Sequence, residues 1–152
     1  MKRRMNVWTL FFASLFFAGL ALESNMSEAQ DVRLAYVPSE GDNNLMVIDL
    51  IAEKEIKTLP TGKVPHALAF TKDGKCYVNN RGTKDITVID ANKLEVIGTI
   101  PLAATSFQLA LSPDGKTLAV AYKDALQITL IDTGTDAAIK TISIGKEPEG
   151  KF

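Results

Sequence analysis

An all-β fold built from repeated four-stranded antiparallel sheets is the architecture this sequence predicts, on three observations. Val47-Ile48-Asp49, Val88-Ile89-Asp90 and Leu130-Ile131-Asp132 recur with their aspartates 41 and 42 residues apart. Ile56, Ile97 and Ile139 keep the same spacing, as do Thr58, Thr99 and Thr141. Asp73-Gly74-Lys75 returns as Asp114-Gly115-Lys116, and Asp-Gly between two apolar runs signals a hairpin because glycine reaches positive φ without a Cβ clash. A fixed period of roughly 40 residues with four short apolar runs per period marks a propeller blade.

The chain opens with a targeting pattern. Lys2, Arg3 and Arg4 form a basic segment, Val7 to Leu22 an apolar one, and Ser27-Glu28-Ala29 carries small residues at both positions a signal peptidase reads. This predicts a secretory signal over 1–29, cleaved after Ala29, and a periplasmic or extracellular location. Gly19-Leu20-Ala21 is a second cleavage candidate. An uncleaved anchor is the competing reading, opposed by an apolar run shorter than the ~20 residues a spanning helix needs. Without residues 1–29 the chain carries 14 positive and 16 negative groups and no basic cluster. Nucleic acid is therefore excluded as a partner on electrostatic grounds, and no membrane partner is expected once the signal is gone.

Arg33 to Val37, Leu45 to Asp49 and Glu55 to Leu59 read as three strands, the first two joined through the turn-forming run Pro38 to Asn44. The second copy adds Ala67 to Phe70 ahead of the Asp73-Gly74 hairpin, and the third runs Phe107–Leu111, Leu118–Tyr122, Ile128–Asp132 and Ala138–Ile142. The plan is a partial blade over 30–64, a blade over 65–105, a blade over 106–147 and the start of a further inner strand at 148–152. Runs such as Leu118-Ala119-Val120-Ala121-Tyr122 are apolar on both faces, so both faces must be covered, as they are when blades stack around an axis. A β-sandwich is the runner-up, disfavoured by the tight repeat. Closed propellers use about 4–8 blades, so this is an incomplete ring. The expectation is a piece of a longer propeller, with copies associating through open blade edges as the alternative.

Cys76 aligns with Leu118 and Ala35 and is expected to be a small buried hydrophobe rather than a nucleophile. The three aspartates closing the Val/Leu-Ile-Asp runs fall at equivalent places in successive blades, so they are expected to cap turns rather than converge as a carboxylate site.

The residues Tyr77-Val78-Asn79-Asn80 and Tyr36-Val37-Pro38-Ser39, the Asp-Gly-Lys turns, the three Val/Leu-Ile-Asp runs and Gly62-Lys63-Val64-Pro65-His66 together resemble the YVTN-type β-propeller repeat, from about Arg33 to Phe152. The third copy departs from it, with Ala119-Val120-Ala121-Tyr122 in place of the signature tetrad. The resemblance implies exported repeat proteins whose larger members form propellers, commonly of seven blades, similar in fold to amine dehydrogenase heavy chains, haem d1 domains and lactonases.

The chemistry the sequence lacks narrows the function. His66 is the sole histidine, with Phe107 and Glu149 as its counterparts, so no imidazole ring repeats around an axis and no set of three or four metal ligands is supplied. One cysteine excludes a C-x-x-C-H haem attachment, and no nucleophile elbow or phosphate loop is present. No cofactor is expected. If blades order as in the resembling family, one face carries Thr61–Pro65, Leu102–Ser106, Ser39–Asn44, Asn79–Asp85 and Lys123–Gln127, and His66, Asn80 and Arg81 are the ligand-binding candidates there. The predicted function is an exported binding or interaction module for a protein or small-molecule ligand. The alternative is the N-terminal part of an enzymatic propeller, lactonase-like or quinoprotein/amine dehydrogenase-like.

Overall fold

The computed structural model describes residues 33–122 and 125–145. The signal expected over 1–29, Lys123 and Asp124 of one predicted rim loop, and the strand start expected at 148–152 lie outside the described residues. The described chain is all-β. A first sheet holds β1 (Leu34–Ser39), β2 (Asn44–Asp49) and β3 (Lys54–Pro60). A second holds β4 (Pro65–Phe70), β5 (Lys75–Asn80), β6 (Asp85–Asp90) and β7 (Glu95–Pro101), and a third holds β8 (Ser106–Leu111), β9 (Thr117–Tyr122), β10 (Gln127–Asp132) and β11 (Ala137–Ser143). Each sheet is an antiparallel meander in chain order, the predicted blade pattern in an incomplete ring.

The turns explain why the chain reverses where it does. Asp49 Oδ1 accepts from the backbone N–H groups of Ile51 and Ala52 at 2.8 and 2.9 Å. Asp90 Oδ1 accepts from those of Asn92 and Lys93 at 3.0 and 3.1 Å, and Asp132 Oδ1 from that of Thr135 at 2.8 Å. These are the expected turn caps. The hairpin glycines Gly74 and Gly115 sit at φ 94° and 74°, where a Cβ is strained.

The outermost pair of every sheet carries the same irregularity. The register shifts between Val47 and Ile48, Val88 and Ile89, and Leu130 and Ile131. The residues left without a ladder partner are Ile56, Ile97 and Ile139, and all three are exposed. Their periodicity therefore marks a β-bulge, which twists an edge strand away from further pairing, and not a core position.

Two apolar layers hold the sheets together. Leu45, Val47 and Leu59 of the first sheet pack with Cys76, Val78 and Ile89 of the second. Tyr77, Ile86, Val88 and Ile100 of the second pack with Leu109, Leu118, Val120, Tyr122 and Ile131 of the third. The second sheet is covered on both faces, which is why β5 and β6 are buried nearly end to end, whereas β9 alternates between buried and half-exposed. Each buried aliphatic side chain contributes about 1.5–3 kcal/mol relative to exposure. Cys76 and Leu118 are buried as expected, but Ala35 is half-exposed. It lies at the register position of Cys76 (opposite Ile48, as Cys76 is opposite Ile89), on the face of the first sheet that points away from the second.

A tyrosine clasp crosses each layer. Tyr36 Oη donates to Ala91 O at 3.2 Å, from the first sheet to the β6–β7 turn of the second. Tyr77 Oη reaches Thr133 O at 3.3 Å and Asp136 Oδ1 at 2.6 Å in the β10–β11 turn of the third. Lys75 Nζ joins it, donating to Thr133 O at 2.7 Å and pairing with Asp136 at 3.0 Å. The tyrosine of the signature tetrad is thus the sheet-to-sheet hydrogen bond, and its counterpart in the third sheet is Ala119.

Candidate functional site

One end of the inner strands is built on bulges. Pro65 pairs with Asn80 and Leu68 with Val78, so His66 and Ala67 together oppose Asn79. In the third sheet Ser106 pairs with Tyr122 and Gln108 with Ala121, so Phe107 is extra. His66 and Phe107 therefore occupy equivalent bulges, which release a side chain from the ladder and re-aim it. Pro65, with no N–H to give, begins its strand where the ladder is already broken. Asn79 Oδ1 takes the N–H of Ala67 at 2.5 Å, replacing the ladder bond the bulge removes.

The freed side chains meet across sheet boundaries. The His66 and Phe107 rings lie 5.8 Å apart, tilted by 34°. His66 Nδ1 lies 2.9 Å from Glu40 Oε1, in the β1–β2 turn of the first sheet. The Arg81 guanidinium carbon sits 5.9 Å from the Phe107 ring centroid, in range of a cation–π contact. Four side chains from three sheets thus form one rim.

The loops beneath are held by backbone bonds. Arg81 N donates to Val64 O at 3.0 Å, Gly82 N to Lys63 O at 2.8 Å, and Val64 N to Asn43 Oδ1 at 3.0 Å. Val64 sits at φ 56°, a strained conformation for a β-branched residue that only over-determined surroundings maintain. Gly62 is required by space: an added Cβ would fall 2.2 Å from Thr83 Oγ1 and 2.8 Å from Asn80 Cβ.

Of the three predicted site residues, the structure brings His66 and Arg81 together on the rim and sets Asn80 beneath it. Asn80 is fully buried, and its Nδ2 donates to Asp85 Oδ1 at 2.6 Å and Thr87 Oγ1 at 2.9 Å. It closes the β5–β6 turn under the loop of Gly62. Sequence reasoning passed over Glu40 and Phe107. Phe107 had a signal, since it is the repeat counterpart of His66; Glu40, in a turn that varies between copies, had none. Among the described residues no group of three or more His, Cys, Asp or Glu side chains is placed to hold a metal ion. Two cavities among the described residues lie away from this rim, one of about 210 Å³ between Leu102 and Thr141 and one of about 130 Å³ beside Gly74.

The comparisons accord with this architecture. No curated protein matches the chain. Among solved structures, Kuenenia stuttgartiensis hydrazine synthase superposes with a TM-score of 0.69 at 21% identity, over 79% of this chain and 38% of that one. The dihydro-haem d1 dehydrogenase NirN, in complex with DHE, superposes with a TM-score of 0.67 at 23% identity, over 77% of this chain and 25% of that one. The chain thus spans well under half of either, and at such identity the likeness extends to the fold alone. A family model described as YNCE-like β-propeller matches residues 21–152. With three sheets stacked in the blade pattern and most of its length matched, the chain belongs to the YNCE-like β-propeller family.

Proposed function

We propose that this chain is an exported binding or interaction module that takes its ligand on the rim where its three sheets meet. The observation that carries the reading is the convergence of Glu40, His66, Arg81 and Phe107 from three sheets onto one surface. The surface rests on paired loops and equivalent bulges, a rigid scaffold of the kind that carries binding residues. The basic, apolar and small-residue order of residues 1–29 supports export. The likeness to hydrazine synthase and to the NirN dehydrogenase is the ground for the rival reading of an enzymatic propeller piece. They share only the fold with this chain, so binding is the reading adopted.

The test uses the mature chain recovered from periplasm or medium, screened against a panel of small ligands and peptides by thermal shift. At least one ligand class is expected to stabilise it, with the response lost in His66→Ala and Arg81→Ala while their urea midpoints stay near the parent's. A response that survives both substitutions refutes the rim as the site. N-terminal sequencing is expected to begin Gln30-Asp31, and Met1 retained in a membrane fraction refutes soluble export.

A further inference from the structure

We propose that the seam between β5 and β8 is a receptor for a carboxylate, with Arg81 as the anion-binding group and Phe107 as its platform. The proposal rests on the reading of the rim as a binding site and names the ligand that rim selects.

Arg81 is the first observation. Its guanidinium lies against the Phe107 ring at 5.9 Å, and no carboxylate pairs with it among the described residues. Its Nε is buried with no hydrogen-bond partner. A buried charged donor left unsatisfied is costly, so the arrangement is completed by an acceptor from outside. His66 differs, since Glu40 already occupies its Nδ1.

On the side of β5 that faces β8 the orphans are groups able to donate, whereas Asn80 Oδ1, an unpartnered acceptor, lies on the opposite side with Val78. Asn79 Nδ2 and Ser106 Oγ are also buried without a partner, in residues with no exposed surface. Asn79 cannot reverse its amide, because its Oδ1 holds the Ala67 N–H at 2.5 Å; the free end is a donor. Asn79 lies on the same side of β5 as Tyr77, which packs against the third sheet, and Arg81, in the turn that follows β5, reaches Phe107 of β8. Ser106 is the residue before Phe107. Three unsatisfied groups able to donate thus belong to one seam, and an oxyanion satisfies donors where a cation or amine does not.

Charge and shape select the carboxylate. One guanidinium supplies one positive charge, and Glu40 adds a negative charge close by, which favours a monoanion. A planar guanidinium edge matches a planar carboxylate through two parallel hydrogen bonds. The Phe107 ring, nearly half exposed at 48%, offers apolar surface to a small body attached to that carboxylate.

Equilibrium dialysis of the mature chain against labelled benzoate tests the assignment, with inorganic phosphate and benzylamine as competitors. Saturable benzoate binding is expected, unaffected by benzylamine, displaced only weakly by phosphate, and weakened about tenfold or more by Arg81→Lys, which keeps the charge but loses the fork. Arg81→Gln is expected to abolish it. Benzoate binding unchanged in Arg81→Lys, phosphate outcompeting benzoate, or displacement by benzylamine overturns the proposal, and Arg81→Lys keeps the test decisive should Arg81→Gln fold poorly. A panel ligand whose stabilisation depends on His66 and Arg81, with benzoate inert, overturns the carboxylate assignment and leaves the binding module standing. Loss of all panel responses overturns both.

Discussion

Replacing Tyr77 by Phe removes a single oxygen atom from the buried layer between the second and third sheets. That oxygen lies 2.6 Å from Asp136 Oδ1 and 3.3 Å from Thr133 O, in a side chain with no exposed surface. A hydrogen bond to a charged partner contributes about 1.5–3 kcal/mol. Asp136 keeps Lys75 at 3.0 Å, so its carboxylate is not orphaned and the loss is expected near the lower end, about 1.5 kcal/mol. Tyr36→Phe serves as the internal control. Its hydroxyl meets only the neutral Ala91 carbonyl at 3.2 Å, half-buried, a bond worth about 0.5–1 kcal/mol. Urea denaturation of the two variants at matched m-values gives both quantities, and a cycle with Asp136→Asn isolates the pair. The clasp also carries a pH signature. Burial, then the Asp136 hydrogen bond, pushes the Tyr77 phenol well above 10.0. The unfolded chain therefore releases that proton first, and stability falls as pH rises past 10.0. A Tyr77→Phe loss no larger than that of Tyr36→Phe, or strict additivity with Asp136→Asn, refutes the clasp.

Four further outcomes are expected. Gly62→Ala drives a Cβ to 2.2 Å from Thr83 Oγ1, so it is expected to cost about 1–3 kcal/mol in urea denaturation and to weaken rim binding with it; an unchanged midpoint refutes the close approach. Asp49, Asp90 and Asp132 are held below 3.8, chiefly by the Ala52 N–H, the Lys93 side chain and the Thr135 hydroxyl respectively. Their contribution is present above 3.8 and lost as pH falls through the lower folded values, so Asp→Asn at each position is expected to flatten the acid limb of a Tm-against-pH curve. Burial pushes the Cys76 thiol from 9.0 to about 12, so a maleimide at about pH 8 is expected to label the chain only after denaturant is added; rapid labelling of the native chain refutes its burial. The half-exposed apolar face of the third sheet, with Ile142 and Ile144 exposed nearby, predicts that the isolated mature chain self-associates. Light scattering showing a stable monomer with every strand protected from hydrogen exchange counts against that.

The repeat made most of the fold legible, because every blade obeys the same local physics. The Asp-Gly hairpins and aspartate caps are short-range devices, and residues within a few positions of one another specify them. The rim was legible only in part. His66 and Arg81 were readable as polar residues on predicted loops, but their meeting over Phe107 depends on two bulges, and a bulge leaves no period-2 signature to read. Asn80 looked like a rim residue because the strand end was visible and its orientation was not. The regularly spaced isoleucines carried the opposite lesson. Their spacing was real, yet Ile97 is 51% exposed, since the period recorded a shared backbone irregularity and not a shared burial.

Ala119 gives the tyrosine clasp a consequence for counting. Identical blades joined by identical clasps make a stack with no preferred position, in which any blade can exchange places with its neighbour. The first and second sheets use tyrosine toward the next sheet, and the third presents a methyl group in its place. That substitution breaks the degeneracy: whatever covers the third sheet meets a methyl group where the other sheets present a tyrosine hydroxyl, and cannot be seated there by the bond that seats the others. The third blade is thereby numbered, and Ala119→Tyr erases the number.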